Sequence, residues 1–399
     1  MRMRVLVISL DLFSTQERAN NIIERLKRIH KEENLVIVLK NNSNQNQSFG
    51  SPGISDEVLK TGRDILHQIH SGLFNVSVIY SQLMEQYGIS SVAIGDSDIG
   101  LEIDDRDIKV AVSKIDTSLL TQSIRSGQVP VISGGFTQLS RDGKISGNKG
   151  ASDLLAVAIA SSLGTERCEF WSKDTGVYSG DRSIVVNSQK IDELNTDECM
   201  EMAVLGFVLP DMEALELARK TGVNIFFTAP FSEEGTWIMA NRGNENNNVK
   251  AVAYDTDTAK IAVLGVPDRP GIAATIFSAL SENDISSEMI IQSVMRGQIN
   301  DIAFLVKKAD IERAITVCRN LARETGAQGV TFDTEIARVS VIGAGISNRP
   351  DIPSRVFSTL AAHEINIDMI AATSISIICV VSEPQAQKAV QALHSEFIE

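Results

Sequence analysis

Residues 263–294 read VLGVPDRPGIAATIFSALSENDISSEMIIQSV, and residues 341–370 read VIGAGISNRPDIPSRVFSTLAAHEINIDMI. From the prolines onward the two stretches align at a constant offset of 80 residues. Arg269 then matches Arg349, Pro270 matches Pro350, Phe277 matches Phe357, Ile285 matches Ile365 and Met289 matches Met369. Self-similarity at a fixed spacing signals two copies of one supersecondary unit.

The periods within the first copy give its elements. Residues 262–266 form a short apolar run that predicts a strand, Asp268-Arg269-Pro270-Gly271 is a turn, and Ile272, Ala273, Ile276, Phe277 and Leu280 recur at helical spacing. Beyond them 285–294 and 302–306 read as strands, 311–324 as a helix and 329–332 as a last strand. The order βαββαβ is that of a ferredoxin-like unit. Pro270 suits a helix start, where its missing N–H would be unpaired in any case, and Gly271 leaves the backbone open to a ligand. A helix N-terminus with free N–H groups attracts a carboxylate.

These residues carry a specific resemblance. VPDRPGIAATIF with the strand ending IIQSV resembles the first of the tandem ACT domains of aspartokinases, and VIGAGISNRP with INIDMI resembles the second. The resemblance implies an amino-acid effector of the lysine or threonine class, held by Asp268, Gly271, Ile272, Ala273 and Gln292, with Asn366 and Ile367 from the second copy. It also shows departures. Ser286 and Glu288 stand where the family has Asn and Asp, Asp351 replaces the turn glycine of the second copy, and AATS at 371–374 replaces STSE.

A chain of 399 residues, 43% hydrophobic, is long enough for two or three domains. Its net charge of −14 argues against nucleic acid or an anionic membrane as partner, since both require basic patches. The opening MRMRVLVISLDLF meets Asp11 too early for a signal peptide and reads as a buried strand. No apolar run approaches a membrane span. Cys168, Cys199, Cys318 and Cys379 are scattered and read as free core thiols in a reducing cytoplasm. The five histidines show no ligand spacing, and no metal site is expected.

From residue 5 to about 240 strands and helices alternate. Strands are expected at 5–10, 35–39, 92–94, 129–134, 167–172 and 224–228. Helices are expected at 15–30, 56–71, 74–87, 119–126, 152–163, 197–205 and 212–221. Such alternation predicts a mainly parallel sheet with helices on both faces and ligands at the carboxyl ends of its strands. Polar tracts lie at 41–48 and 241–248. The organisation read from this is an α/β chain: an amino-acid-kinase-like αβα sandwich over 1–240, a linker at 241–250, and ACT domains at 251–335 and 336–399.

The aspartokinase resemblance extends into the first domain through VPVISGGF at 129–136, GNKGASDLLAVAIASSLG at 147–164, EFWSKDTGVYSGDR at 169–182 and LNTDECMEMA at 194–203. Aspartokinases transfer the γ-phosphoryl of ATP to a side-chain carboxylate, a reaction run by positioning and by cations on the phosphates. The family opens with a strand ending in lysine, two glycines and a hydroxyl residue. Here VLVISLDLFST has neither lysine nor glycine and brings in Asp11. The family's Gly-Glu becomes Gly72-Leu73, and the arginine that grips the substrate becomes Lys149, a point charge in place of a fork. The aspartate after the tryptophan becomes Lys173, and a second lysine becomes Val208. Ser152, Asp153, Gly176, Tyr178, Asp181 and Arg182 survive.

Each preorganised charge at such a site is worth about 10²- to 10³-fold, so these losses imply a pseudokinase that keeps the fold and the sensor. Two rivals stand beside it. In an active kinase for aspartate or a related amino acid with a rebuilt site, Lys149 and Asp153 are catalytic, and ATP and Mg²⁺ are the cofactors. Ser172, Gly176, Tyr178 and Arg182 then bind the nucleotide, and Arg63, Lys144 and Lys173 are further candidate cations. In the plainer rival the repeats merely dimerise. The ACT resemblance implies a homodimer, or a hetero-oligomer with an active relative.

Overall fold

A computed structural model describes residues 2–13, 15–40, 75–99, 115–134, 137–139, 145–147, 151–207, 209–240, 248–293 and 299–399. The helix expected at 56–71, the polar tract 41–48, residues 241–247 of the second tract, and Arg63, Gly72, Leu73, Lys144, Lys149 and Val208 lie outside them. The chain divides into two compact units: residues 1–177, 190–203 and 208–243 form the first, and residues 178–189, 204–207 and 244–399 the second.

The first unit is built on strands β1 (Arg2–Ser9), β2 (Glu33–Lys40), β3 (Ser91–Ile94), β4 (Val129–Gly134), β5 (Arg167–Trp171), β6 (Glu193–Asn195), β7 (Asn224–Thr228) and β8 (Gly235–Met239). They form one sheet in the order β6-β8-β7-β5-β1-β2-β4-β3. All neighbours are parallel except β7 and β8. The central strands are near-continuous apolar runs because a parallel sheet covered on both faces buries every side chain; Val5 to Ile8 and Leu35 to Leu39 are all buried. Strand β8, GTWIM, was not expected, and it doubles back on β7 through the turn 229–234.

The helices are α1 (Gln16–Glu32), α2 (Asn75–Gln86), α3 (Ser118–Arg125), α4 (Ala151–Ser162), α5 (Thr196–Val204) and α6 (Met212–Thr221). Thr15 caps α1 by accepting the Arg18 N–H, and Ala19, Ile22, Ile23 and Leu26 then face the sheet at the i, i+3, i+4, i+7 spacing of an amphipathic helix. Helix α4 shows no such stripe. Its residues 152–160 are all buried, as expected of a helix apolar all round.

The second unit holds two four-stranded antiparallel sheets. Its strands are β9 (Ala251–Asp255), β10 (Ala259–Pro267), β11 (Glu288–Gln292), β12 (Ile299–Val306), β13 (Gly329–Asp333), β14 (Ile336–Ile342), β15 (Met369–Ala372) and β16 (Ser376–Ser382). Its helices are α7 (Ile272–Glu282), α8 (Ile311–Thr325), α9 (Asp351–Ala362) and α10 (Ala386–Phe397). The first sheet runs β11-β12-β10-β13 and the second β9-β14-β16-β15. The βαββαβ order of the first copy is therefore present, but the expected boundary at 251 needs correction. Residues 251–255 pair with β14 of the second copy, Val252 opposite Val341, and supply the strand that copy lacks at its own end. Val252 is buried with Val339, Val341, Ile352 and Leu393, so the apolar face of this strand chooses its sheet.

A second correction concerns 178–189, expected in the first domain. Ile184 and Val185 are buried in the core of the second ACT copy. Ser179 Oγ lies 2.8 Å from His394 Nε2, and Gln391 Nε2 donates to the Ile184 carbonyl at 2.9 Å. Cys168, Cys199, Cys318 and Cys379 are buried and unpaired, and no described helix is long and apolar enough to cross a membrane.

Val252→Asp places an unpaired charge in the second core and is expected to cost more than about 3 kcal/mol. Hydrogen exchange should then quicken in β14 and β16 before β10 and β12; uniform loss of protection across both sheets would contradict the assignment of β9.

Candidate functional site

Parallel register brings the ends of the central strands to one rim. Ser9 pairs with Lys40, Lys40 with Gly134, and Ile8 with Trp171. Below this rim Asp153, in the first turn of α4, has no solvent exposure. Its Oδ2 accepts from Lys40 Nζ at 2.6 Å and from the Asp211 N–H at 3.0 Å, while its Oδ1 is buried without a partner. Burial pushes the Asp153 carboxyl above the ordinary carboxylate range, and the Lys40 ammonium and the Asp211 N–H work against that shift.

Lys40 was not among the residues expected here. A lysine closing the apolar run NLVIVL reads as a solvated strand end; the signal that finds it is that every strand of a parallel sheet ends on the ligand side.

The turn after β1 differs from a glycine cradle in kind. Residues 10–13 form a 3-10 turn in which Leu12 and Phe13 are buried, the Phe13 ring packing 4.7 Å from that of Tyr80. Two large apolar anchors replace open backbone. Asp11, the polar residue of the turn, accepts a 2.9 Å ion pair from Lys173. Burial works to raise the Asp11 carboxyl, but hydrogen bonds from Lys173 and Ser9 outweigh it and hold it below its usual range. Two departures expected independently, an acid in the first turn and a lysine after the tryptophan, thus answer each other.

Of the expected nucleotide residues, Ser172 and Gly176 belong to the first unit, Tyr178 and Arg182 to the second. Gly176 takes φ +154, and a Cβ there would stand 2.8 Å from Thr236 Oγ1, so the position requires glycine. The Arg182 guanidinium stacks 4.6 Å over the Tyr178 ring.

The effector residues gather at one end of the first ACT sheet. Strand β12 is central there, with Ile302 opposite Gln292 on one side and Asn300 opposite Val266 on the other. Asp268, Gly271 and Ala273 are exposed and Ile272 half-buried at the start of α7, and Gln292 is exposed. Gly271, the N-cap of α7, adopts φ +98 with open space where a Cβ would stand, and the Ile272 N–H donates to the Arg269 carbonyl at 3.4 Å. In the second copy Asn366 is exposed and Ile367 packs against the second core, while the next residue, Asp368, pairs with Lys260 of β10.

The comparisons with known proteins agree with this architecture. Residues 5–229 match the Amino acid kinase family, and residues 261–320 and 339–397 match the ACT domain. An aspartokinase of Thermus thermophilus is 31% identical over 327 residues, 81% of this chain and 80% of that protein. The chain belongs to the aspartokinase family. An aspartate kinase of Pseudomonas fluorescens is 29% identical over 388 residues, covering 96% of this chain and 94% of its own length. Among solved structures, E. coli aspartokinase III in complex with aspartate and ADP superposes with a TM-score of 0.76 at 18% identity over the full length of both chains. Clostridium acetobutylicum aspartate kinase does so with a TM-score of 0.77 at 17% identity, over 99% of this chain and 100% of that one. At these identities the superpositions establish the shared fold.

Lys40→Met leaves a carboxylate buried without its counter-ion and is expected to destabilise this aspartokinase homologue by about 3 kcal/mol, the low end for a buried pair because Lys40 keeps some solvent contact. A carboxyl whose folded pKa is raised contributes stability that is fully present below its unfolded pKa and lost as pH rises through the folded one. The Lys40→Met deficit should therefore grow with pH above the carboxylate range, and Asp153→Asn in the same background should recover most of it in denaturant titrations. A deficit that ignores both pH and the second substitution would refute the pairing.

Proposed function

We propose that this aspartokinase homologue has lost efficient phosphoryl transfer and acts as an amino-acid-sensing pseudokinase. The turn after β1 carries the reading: Leu12 and Phe13 are core anchors, and Asp11 offers negative charge where the family resemblance puts phosphates. A triphosphate needs backbone N–H groups and cations. Among the described residues at the rim, Lys40 and Lys173 each already hold a carboxylate of the chain. The turn with buried Leu12 and Phe13 does not suit ATP with Mg²⁺ as the family would bind it, and no transfer step is assigned to these residues.

The sensing half rests on the first ACT copy, with Asp268, Gly271, Ile272, Ala273 and Gln292 as its effector residues. E. coli aspartokinase III has been solved in complex with lysine and aspartate, superposing on this chain with a TM-score of 0.72 at 18% identity, which supports the same ligand class here. In this reading the kinase-like part ends near residue 240, and the chain works as a homodimer or beside an active relative.

With ATP, Mg²⁺ and a panel of amino acids, ADP release is expected below about 10⁻³ s⁻¹, some four orders under the common enzymatic value of about 10 s⁻¹. Turnover above a fraction per minute that disappears in Asp153→Ala would overturn the pseudokinase. Calorimetry with lysine and threonine should find binding that Asp268→Ala abolishes; heat from neither amino acid would leave the repeats as dimerisation modules.

A further inference from the structure

The two ACT copies hold corresponding residues in two different conformations at one place. At the offset of 80, Met289 corresponds to Met369, and the acids before them, Glu288 and Asp368, correspond as well. In the second copy Met369 opens β15 opposite Val380, and the pairing runs without a break to Ala372 opposite Ile377. In the first copy Glu288 is drawn into β11 opposite Leu305 while Ile291 faces Ala303, so Met289 and Ile290 share the single position of Phe304. This is a β-bulge, and Met289 takes φ +50 in it, a left-handed conformation that glycine ordinarily supplies. Asp284 and Glu364, also left-handed, are themselves a corresponding pair just past the caps of α7 and α9. The copies agree there and differ at Met289.

Chain length does not cause the difference. In both copies five residues separate a buried isoleucine, Ile285 or Ile365, from the position where the registers agree again, Ile291 or Ala371. The far end of β11 is fixed by Gln292 opposite Ile302 and by the Ser293 N–H, which donates to the Asp301 carbonyl at 2.8 Å. The second copy leaves Asp368 outside the strand, its N–H on the Val380 carbonyl at 2.8 Å, whereas the first takes Glu288 inside and bends Met289. What differs is the partner of each acid. Asp368 pairs with Lys260 of β10, and Glu288 with Arg338 of β14. Lys260 and Arg338 correspond too, since VLG at 263–265 matches VIG at 341–343. The joint is therefore reciprocal, the cation of each copy on the acid of the other, and the strand is bulged only where the cation is the buried arginine. A left-handed residue other than glycine persists where its surroundings hold it, and a desolvated guanidinium that requires carboxylates is such a hold.

We propose that β11 is a two-register switch latched by Arg338. With Glu288 on Arg338 the strand is bulged at Met289. With Glu288 released, Met289 pairs with Leu305 as Met369 pairs with Val380, and the left-handed residue disappears. Arg338 also holds Asp255 at 3.0 Å, so Glu288 is the partner it can give up. Met289 packs against the cluster of Leu305, Ile336, Met369 and Val380 that joins the two sheets, so the register of β11 and the contact between the copies change together. The switch belongs to the free chain and stands apart from the amino-acid-sensing reading.

The test is the carbon-13 shift of methionine Cα and Cβ in the full chain, labelled at methionine and free of ligand. These shifts separate left-handed from extended backbone, and Met289→Leu and Met369→Leu identify the two signals. In the wild type Met289 should stand on the left-handed side and Met369 in the strand range. Glu288→Gln, which keeps size and removes charge, should move Met289 into the strand range, with the extended form in excess by about fivefold or more once nothing holds the left-handed one. Arg338→Met should do the same, and Glu288→Gln decides alone where that variant is unfolded. A wild-type Met289 already in the strand range overturns the proposal, as does a signal that stays mainly left-handed in either folded variant. Equal displacement of Met369 would show that the joint has come apart as a whole, and overturns the switch as well.

Discussion

The parallel register of β1, β2 and β4 is the constraint on which the first unit depends. It sets Ser9, Lys40 and Gly134 side by side on one rim, and it does so because βαβ crossovers return every strand in the same direction. Whatever chemistry this domain performs must use the side chains that the register delivers there. Lys40 is delivered above a fully buried carboxylate, and the mutual attraction of the two offsets a desolvation cost that neither could bear alone.

The same logic of internal pairing recurs at the start of the chain. A glycine cradle works through exposed backbone, and exposed backbone requires that nothing large be anchored beside it. With Leu12 and Phe13 drawn into the core that α1 and α2 cover, the turn gains apolar burial. Asp11 and Lys173 then neutralise each other. Seen together, the two rim bridges pair each of these lysines with a carboxylate of the chain itself.

The second unit is stabilised by exchange between its two copies. Strand β9 precedes the first copy in sequence and completes the sheet of the second, so the first copy is threaded between two parts of the other. Buried Arg338 of β14 pairs with Glu288 of β11 and with Asp255 of β9 at 3.0 Å, and Lys308 pairs with Glu383 at 2.6 Å. Leu305, Ile336, Met369 and Val380 form a further apolar cluster that joins the two sheets. The segment 178–189 is fastened to the same unit by His394, which burial holds below its ordinary pKa against the pull of Glu399. The Ser179 oxygen, in hydrogen-bond contact with that imidazole, also accepts the Gln189 N–H at 2.8 Å.

The repeat at 263–294 and 341–370 was legible without coordinates because its information is local: apolar period, a proline at a helix start, a turn glycine. The order of elements, the alternation before residue 240 and the altered charges at Asp11, Lys149 and Lys173 were equally plain, since each is a statement about residue type at a position. What local pattern does not carry is which distant segments meet. The choice of the second sheet by 251–255, the attachment of 178–189 to α10, the bridge from Lys40 to Asp153 and the pairing of Glu288 with Arg338 all join residues brought together by strand pairing or core burial, and those are settled by the free energy of the whole chain. The sequence alone determined the family and the residue type at each position; the tertiary structure decided which partners those residues meet, because a side chain acquires its partner only when the backbone has chosen its neighbours.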